Sequence, residues 1–574
     1  MKKRVFVSVI SVVSAVLLFC SLNVYATPYS NYTFDHKGDF YYEPQAMIPD
    51  AYYDWTKMIE GNPDEAELRK TPFKQPEDLL IDSNGYVFIS DTGNNRVIML
   101  DNKFKLLSII TNYETDKGTR DFKQPTGLAL DNDGYLYVCD LGNESIVKFE
   151  YNFSGEYKTV RIFDDPELPD VINTGVSAIP GYQTTAPAEG EATEEPELNE
   201  EEKSKETEQS EESKISEEEE EKKDTKKSGY VYQPMRVVID KTNRLYVLSK
   251  GLNQGILELD RNGKFAQFIA PARVTLTPTE RLRRLFMSEE QLRRSRAPVP
   301  PAYNSVAIDN EGFLYVTTAS ITSAQISVHI RSGKNATEQG AIVRRVNASG
   351  VDVLKRNGNW PPAGDIILDR GFEENTEVFS YLVDVAVYQS GIYSVLDYRR
   401  SKVFTYDQEG NLLFVYGCKG TVFGAFDSAA ALAVMPDNKS MAVLDGKVGQ
   451  INVYRPTEYA EIILEANRLH GEFEFEASNE MWDRLLRISS NSEIGYIGKG
   501  KYEYQQGNYK SAMKYFRLGN DRENYSKALE LYRKEILEVI MPYILWIVLI
   551  GVLFLVGFSI NRRIQRIRRG EKVI

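Results

Sequence analysis

The stretch Gln75-Pro76-Glu77-Asp78-Leu79-Leu80-Ile81-Asp82-Ser83-Asn84-Gly85-Tyr86-Val87-Phe88-Ile89-Ser90-Asp91 is matched, 49 residues on, by Gln124-Pro125-Thr126-Gly127-Leu128-Ala129-Leu130-Asp131-Asn132-Asp133-Gly134-Tyr135-Leu136-Tyr137-Val138-Cys139-Asp140. Each is an apolar run, an Asp-x-x-Gly turn, and a second β-rich run. The turn Asp can accept backbone N–H groups and the Gly can take a left-handed conformation, so each unit reads as a β-hairpin. Four further copies follow. They are centred on Ile239-Asp240, on Val306-Ala307-Ile308-Asp309, on Val385-Ala386-Val387 with Gly391, and on Leu432-Ala433-Val434 with Leu444-Asp445. More strands trail each hairpin, such as Val97–Leu100 and Lys105–Ile110 in the first copy. A period of about 40–50 residues with about four strands per unit is the pattern of propeller blades. Six copies predict an all-β six-bladed propeller over residues 70–456. The first run of each copy lacks alternation, which predicts an inner strand packed on both faces.

The motifs resemble the NHL-repeat family. The resemblance lies in Gln-Pro ahead of the first strand, in the Asp-x-x-Gly turn, and in Asp91-Thr92-Gly93-Asn94-Asn95-Arg96-Val97. Copy two keeps Asp140-Leu141-Gly142-Asn143 but has Ser145 in place of the Arg. Ser249 and Thr318 replace the Asp in copies three and four, and copy six lacks the turn Gly. The resemblance implies the six-bladed fold and carries little about function, because propellers host binding and catalysis alike.

Two apolar segments frame the repeats. Residues 1–26 open Met1-Lys2-Lys3-Arg4, run apolar from Val5 to Phe19 and end at Ala26, a secretory signal pattern. Cys20 follows the bulky Phe19 and reads as part of a discarded peptide, with a lipoprotein as the alternative. Residues 540–560 hold a charge-free stretch of about 20 residues, long enough to span a bilayer as a helix. Tyr543 and Trp546 stand at one end, and Arg562, Arg563, Arg566, Arg568 and Arg569 follow the other. Positive residues stay cytoplasmic. The expected topology is a single-pass membrane protein with its bulk outside the cytoplasm, membrane lipid around the C-terminal helix, and a basic cytoplasmic tail at 561–574.

Composition narrows the function classes. A hydrophobic content of 42% permits a large core. Three Cys and three His exclude a disulfide scaffold and a Cys- or His-rich metal fold. A pI near 5.1 argues against nucleic acid as a partner. Of the formal charge of −14, −11 falls between Glu189 and Lys227, so the acidity belongs to one segment. That insertion, 185–228, has little to bury and is expected to be disordered. A second insertion, 277–296, has helix-start signals and Leu282, Leu285, Phe286 and Leu292 on one face.

Residues 27–69 form an N-terminal extension, in which Asp39-Phe40-Tyr41-Tyr42 is a candidate strand to close the ring. Residues 457–538 read as a helical stalk, a spacer between propeller and membrane. Within it, 496–519 resembles a tetratricopeptide repeat through Gly500, Gly507, Tyr509, Ala512 and Phe516, although Lys499 and Glu503 depart from that pattern.

The architecture also resembles propeller lactonases and related hydrolases, which hold a divalent metal in the central channel at the starts of inner strands. Those positions here are Asp78, Gly127, Arg236, Ser305, Asp384 and Ala431. Two carboxylates are too few for a hard cation, which takes six to eight oxygens (about), and Arg236 brings a positive charge to the same place. No catalytic, cofactor or metal residue is therefore assigned. Asp78 and Asp384 are the metal candidates if the chain is instead a metal-dependent hydrolase. Asp91 and Asp140 read as carboxylates bonding the backbone N–H groups of the following turn, Asp82 and Asp131 as turn formers, and Cys139 and Cys418 as core residues. Loop aromatics (Tyr41, Tyr42, Tyr52, Tyr53, Trp55, Trp360) are candidates for stacking on a sugar or a partner.

Three readings remain: an interaction module for a protein or glycan, a channel-mouth hydrolase, and a structural spacer. The chain looks like single-pass NHL-repeat proteins of Gram-positive bacteria that accompany sugar ABC transporters, which implies an accessory role in envelope transport.

Overall fold

The computed structural model describes residues 27–35, 37–152, 154–164, 166–168, 232–252, 254–270, 286–287, 302–318, 323–332, 341–365 and 380–569. The leader 1–26, the acidic insertion 185–228, all of insertion 277–296 except Phe286 and Met287, and tail residues 570–574 lie outside them.

The repeats form six antiparallel sheets, one per copy. The first blade contains Asp78–Ile81, Val87–Asp91, Arg96–Leu100 and Leu106–Ile110; the fifth contains Leu382–Val387, Tyr393–Asp397, Lys402–Tyr406 and Leu412–Tyr416. Blade four has three strands among the described residues. The second strand of every blade is buried along its whole length. First strands are not packed on both faces as expected; their burial is broken, as in Pro234–Ile239 and Ala429–Val434. They border the central channel, which leaves part of their surface uncovered.

Apolar clusters fill the gaps between neighbouring blades all round the ring. Phe88, Val97 and Met99 of blade one meet Leu128, Leu136 and Val138 of blade two. The sixth interface, between blades six and one, joins Ala431 and Leu444 to Leu79 and Ile89. Because each side chain is removed from water by a neighbouring sheet, burial at roughly 25 cal/mol per Å² stabilises the ring rather than any blade alone.

The ring closes with a strand from the N-terminal extension, Met47–Asp54, which pairs antiparallel with Gln450–Pro456 as the outer strand of blade six. The candidate Asp39–Tyr42 lies elsewhere: Phe40–Tyr42 pairs with Tyr32–Phe34. That hairpin shields the outer edge of blade five, where the Asn31 side chain accepts the Val415 N–H at 2.9 Å.

The turns behave as their residues dictate. Asp82 Oδ1 accepts the N–H groups of Asn84 and Tyr86, and Gly85 has φ +89°. Where copies three and six lack Gly, Asn243 and Asn438 hold positive φ of 62° and 54°, which Asn tolerates at low cost.

Short turns of this kind join first to second strands at one end of the barrel. At the other end lie the connections between blades, among them hairpin Asn112–Thr115/Gly118–Asp121. The two ends of the propeller thus differ in kind.

Beyond Pro456 come helices Glu458–Gly471, Phe475–Ile488, Glu493–Gln505, Tyr509–Leu518 and Arg522–Arg568. They are not a free-standing stalk. Tyr459, Ile462, Ile463, Trp482 and Leu485 share one core with Phe414, Tyr416, Phe426 and Tyr454 of blades five and six. Gly500 lets Phe516 approach, since a Cβ there would lie 2.6 Å from the ring. The final helix runs unbroken through Pro542 for 47 residues and takes in the arginines up to Arg568. The residues expected to form the end of the stalk, the span and the start of the tail thus belong to one continuous helix. Its apolar window has mean hydropathy 2.8 and is unburied, so it is long and apolar enough to cross a membrane.

Candidate functional site

The channel mouth is built by a repeated backbone irregularity. At the start of the first strand, the register shifts between Pro125 and Leu128, Pro234 and Arg236, Tyr303 and Ser305, Leu382 and Asp384, and Ala429 and Ala431. A bulge re-aims the side chain it carries. The candidate positions Gly127, Arg236, Ser305, Asp384 and Ala431 fall at these shifts; Asp78 alone stands in a regular pairing, opposite Ser90.

Four of these side chains engage one another or neighbouring blades. The Arg236 guanidinium forms an ion pair with Asp78 and donates to the Glu77 carbonyl at 2.9 Å. Asp78 also accepts the Leu128 N–H of blade two at 2.7 Å. Opposite, Asp384 accepts the Ser305 hydroxyl at 2.6 Å and the Leu432 N–H of blade six at 2.7 Å. Each aspartate thus ties its own blade to the next one round. Burial pushes the Asp384 carboxyl up to about 6; nearby Arg236 opposes this and Asp78 reinforces it. Gly127 makes room for the arginine's strand: a Cβ there would stand 2.7 Å from Arg236 Cα.

Among the described residues, no group of three or more His, Cys, Asp or Glu side chains could hold a metal ion. Asp78 and Asp384 share their surroundings with a guanidinium and have oxygens committed to backbone N–H groups. This donor set does not fit a hard divalent cation, which needs several free oxygens. Ser305 is 1% exposed and its hydroxyl is spent on Asp384.

Asp91 and Asp140 are structural, with partners partly different from those expected. The backbone N–H that Asp91 accepts is that of Lys74, before the first strand, at 2.7 Å. The turn contributes side chains instead, Asn94 at 2.8 Å and Arg96 at 2.7 Å. Asp140 repeats this with Lys123 and Asn143. Where Ser145 replaces the arginine, Tyr113 of the added hairpin donates to Asp140 at 3.0 Å. Ser249 takes over the role in copy three, accepting the Gln233 N–H at 2.8 Å. Cys139 is fully buried, and burial pushes its thiol well above the ordinary range.

The loop aromatics divide. Tyr53 stacks on Phe104 at 4.1 Å, and Trp55 is buried beneath Arg96; both are packing residues. Tyr52 lies under the Lys57 ammonium, and Tyr42 is 69% exposed.

Tyr41 and Trp360 both line a small cleft of about 50 Å³. The cleft lies where the N-terminal hairpin, the segment around Asn359 and the helices meet, and Glu43 and Glu493 also line it. Glu43 accepts from the hydroxyls of Ser489 at 2.8 Å and Tyr459 at 3.3 Å. Burial raises its carboxyl above the usual range, and those two hydroxyls hold it back. Sequence reasoning missed this cleft because its walls come from four separate parts of the chain.

A second buried group fixes the helices to blade five. Lys501 pairs with Glu409 at 2.9 Å beside Asp407. Burial and the Lys501 charge lower the His470 imidazole to about 4, so it is neutral near pH 7.

No protein-family model and no curated protein sequence matches the chain. Solved structures similar to it include a streptogramin B lyase, at 9% identity over 72% of this chain and 98% of that one, TM-score 0.33. A gluconolactonase from Xanthomonas campestris matches at 9% over 67% and 86%, TM-score 0.33. Hydrazine synthase from Kuenenia stuttgartiensis matches at 10% over 67% and 96%, TM-score 0.32. Likenesses this distant carry no argument about activity. Fold and site together define a six-bladed β-propeller joined to C-terminal helices, the last of them able to cross a membrane by length and composition.

Proposed function

We propose that the chain is a membrane-anchored interaction module whose propeller sits outside the cytoplasm and engages a protein or glycan, as an accessory to envelope transport. One observation carries the reading: the side chains at the channel mouth are consumed by each other and by backbone N–H groups, Arg236 with Asp78 and Ser305 with Asp384. Such a channel is a fastening for blades. Binding then falls to the rim, where loops held by a rigid scaffold are the usual carriers of recognition. The end bearing the Asn112–Asp121 hairpin is favoured, because the helices dock against the turn end through Lys501 and Glu409. The basic residues from Arg562 to Arg569 support a cytoplasmic C-terminus. Resemblance to single-pass NHL-repeat proteins supports the envelope setting.

Crosslinking in intact cells should recover a membrane partner, and recovery should be lost when residues 70–456 are deleted while the helix is kept. Recovery of no partner would remove the proposal. The competing reading is a metal-dependent, lactonase-like hydrolase using Asp78 and Asp384, against which their engagement with Arg236 and backbone N–H groups stands. Calorimetric titration with calcium, zinc and manganese tests it: binding tighter than millimolar that is lost in Asp384→Asn would support it.

A further inference from the structure

We propose that the basic end of the last helix binds the phosphate headgroups of acidic phospholipids, with Arg562, Arg566 and Arg569 as the contact face. The inference rests on that helix crossing the membrane, as proposed above.

Depth comes first. The helix is continuous from Arg522 to Arg568, so distances along it follow from its rise of about 1.5 Å per residue. Tyr543 and Trp546 are the aromatic residues at the start of the apolar stretch, and such rings settle at the membrane interface. Arg563 lies 20 residues beyond Tyr543, and Arg566 lies 20 beyond Trp546. Twenty residues span about 30 Å, the thickness of the hydrocarbon core. The first arginines therefore stand at the far edge of the core, at the level of the phosphates, and not in the water beyond. Ile564 and Ile567 say the same. They are 45% and 62% exposed, interleave with the arginines, and would sit poorly in open water.

The two residue types also separate around the helix. Arg562, Arg566 and Arg569 follow one another at four and three residues and share one face. Ile560, Ile564 and Ile567 do the same on the opposite face. One face thus meets acyl chains while the other meets headgroups.

The charge on that second face is unanswered by the protein. No Asp or Glu occurs from Val539 to Arg569, and beyond it Glu571 and Lys572 cancel. Every residue from Asn561 to Arg569 is exposed. All five cations are arginines, whose planar fork pairs with a phosphate through two hydrogen bonds. The Arg562 guanidinium is steadied over the Phe558 ring, 4.9 Å from its centre. At the other end of the same helix Ala528 is buried with Ala512 and Phe516. A lipid held on the arginine face would therefore fix the rotation of the helix, and with it the direction in which the helical layer faces.

The test uses the full-length chain in phosphatidylcholine vesicles containing a minority of phosphatidylglycerol. Trace spin-labelled phosphatidylglycerol or phosphatidylcholine is added, and the motionally restricted fraction reports which headgroup lies against the helix. Phosphatidylglycerol should be preferred by at least about fivefold, the equivalent of about 1 kcal/mol for one arginine near an anionic surface, and the preference should shrink in high salt. Two double variants remove equal charge. Arg562→Gln with Arg566→Gln strips the contact face and should abolish most of the preference; Arg563→Gln with Arg568→Gln lies off it and should keep most. Equal losses, or none, would overturn the assigned face. Millimolar inorganic phosphate should not displace the lipid; displacement would make free phosphate the ligand and overturn the proposal. Carbonate washing of native membranes separates the two ways of failing. A chain washed off refutes the membrane reading itself, whereas a chain retained without headgroup preference refutes this inference alone.

Discussion

Replacing Asp384 by Asn tests the reading of the channel mouth most directly. In the folded protein burial holds the Asp384 carboxyl near 6, whereas in the unfolded chain it titrates near an ordinary value of about 4. Below about pH 4 the group is neutral in both states and costs nothing. As pH rises from about 4 to about 6 the unfolded chain releases the proton and the folded one keeps it, so stability falls. Above about pH 6 the loss levels off at about 3 kcal/mol.

Asn keeps the geometry: its oxygen can accept the Leu432 N–H, and its amide can donate to Ser305. It has no charge to bury. Asp384→Asn should therefore match the wild type at pH 4 and exceed it by about 3 kcal/mol at pH 7. For an ordered body of about 400 residues this corresponds to about 4 °C in melting temperature. Intrinsic-fluorescence melts of the detergent-solubilised chain from pH 4 to pH 7.5 would measure it. Arg236→Met is the control. Without the guanidinium, Asp78 and Asp384 face each other uncompensated, and the fall between pH 4 and pH 7 should steepen. Parallel melting curves for wild type and Asp384→Asn across that window would refute the account of a strained, buried carboxylate.

Two further outcomes follow from packing and pairing. Lys501→Met leaves the buried Glu409 and Asp407 with only the exposed Lys355, 4.0 Å from Glu409, which should cost about 3 kcal/mol; limited proteolysis between residues 457 and 521 should accelerate as the helices loosen from blade five. Gly127→Ala puts a methyl 2.7 Å from Arg236 Cα and from the Met235 carbonyl oxygen, so blades two and three must part. Thermal melts should report a loss of about 1–3 kcal/mol.

The repeats were legible because turn chemistry is local: an Asp that caps the turn and a residue that tolerates positive φ suffice, and both are written in the sequence. The channel positions were legible for the same reason, since fixed spacing from the turn carried them to the first-strand starts. What spacing could not convey is that Arg236 and Asp78, 158 residues apart, form a pair. The closing strand was misplaced because Met47-Ile48-Pro49-Asp50-Ala51-Tyr52-Tyr53-Asp54 carries a proline and two aspartates. Proline is tolerated at a sheet edge, and this strand is one: Pro49 sits opposite Tyr454 at a register shift. Asp39–Tyr42 offered better β-formers but had no partner strand in blade six. The docking of the helices on blades five and six was illegible for a different reason. An amphipathic helix advertises that it will be covered, and nothing in its own residues says by what.

The last blade is assembled from the two ends of the propeller's own sequence, and this sets an order of events during synthesis. The segment Met47–Asp54 leaves the ribosome early and then waits, without a complement, while nearly four hundred further residues are made. Only once Gln450–Pro456 is present can the latch close. A polypeptide interrupted anywhere in between would leave Met47–Asp54 without its complement, an unmated β-edge open to aggregation.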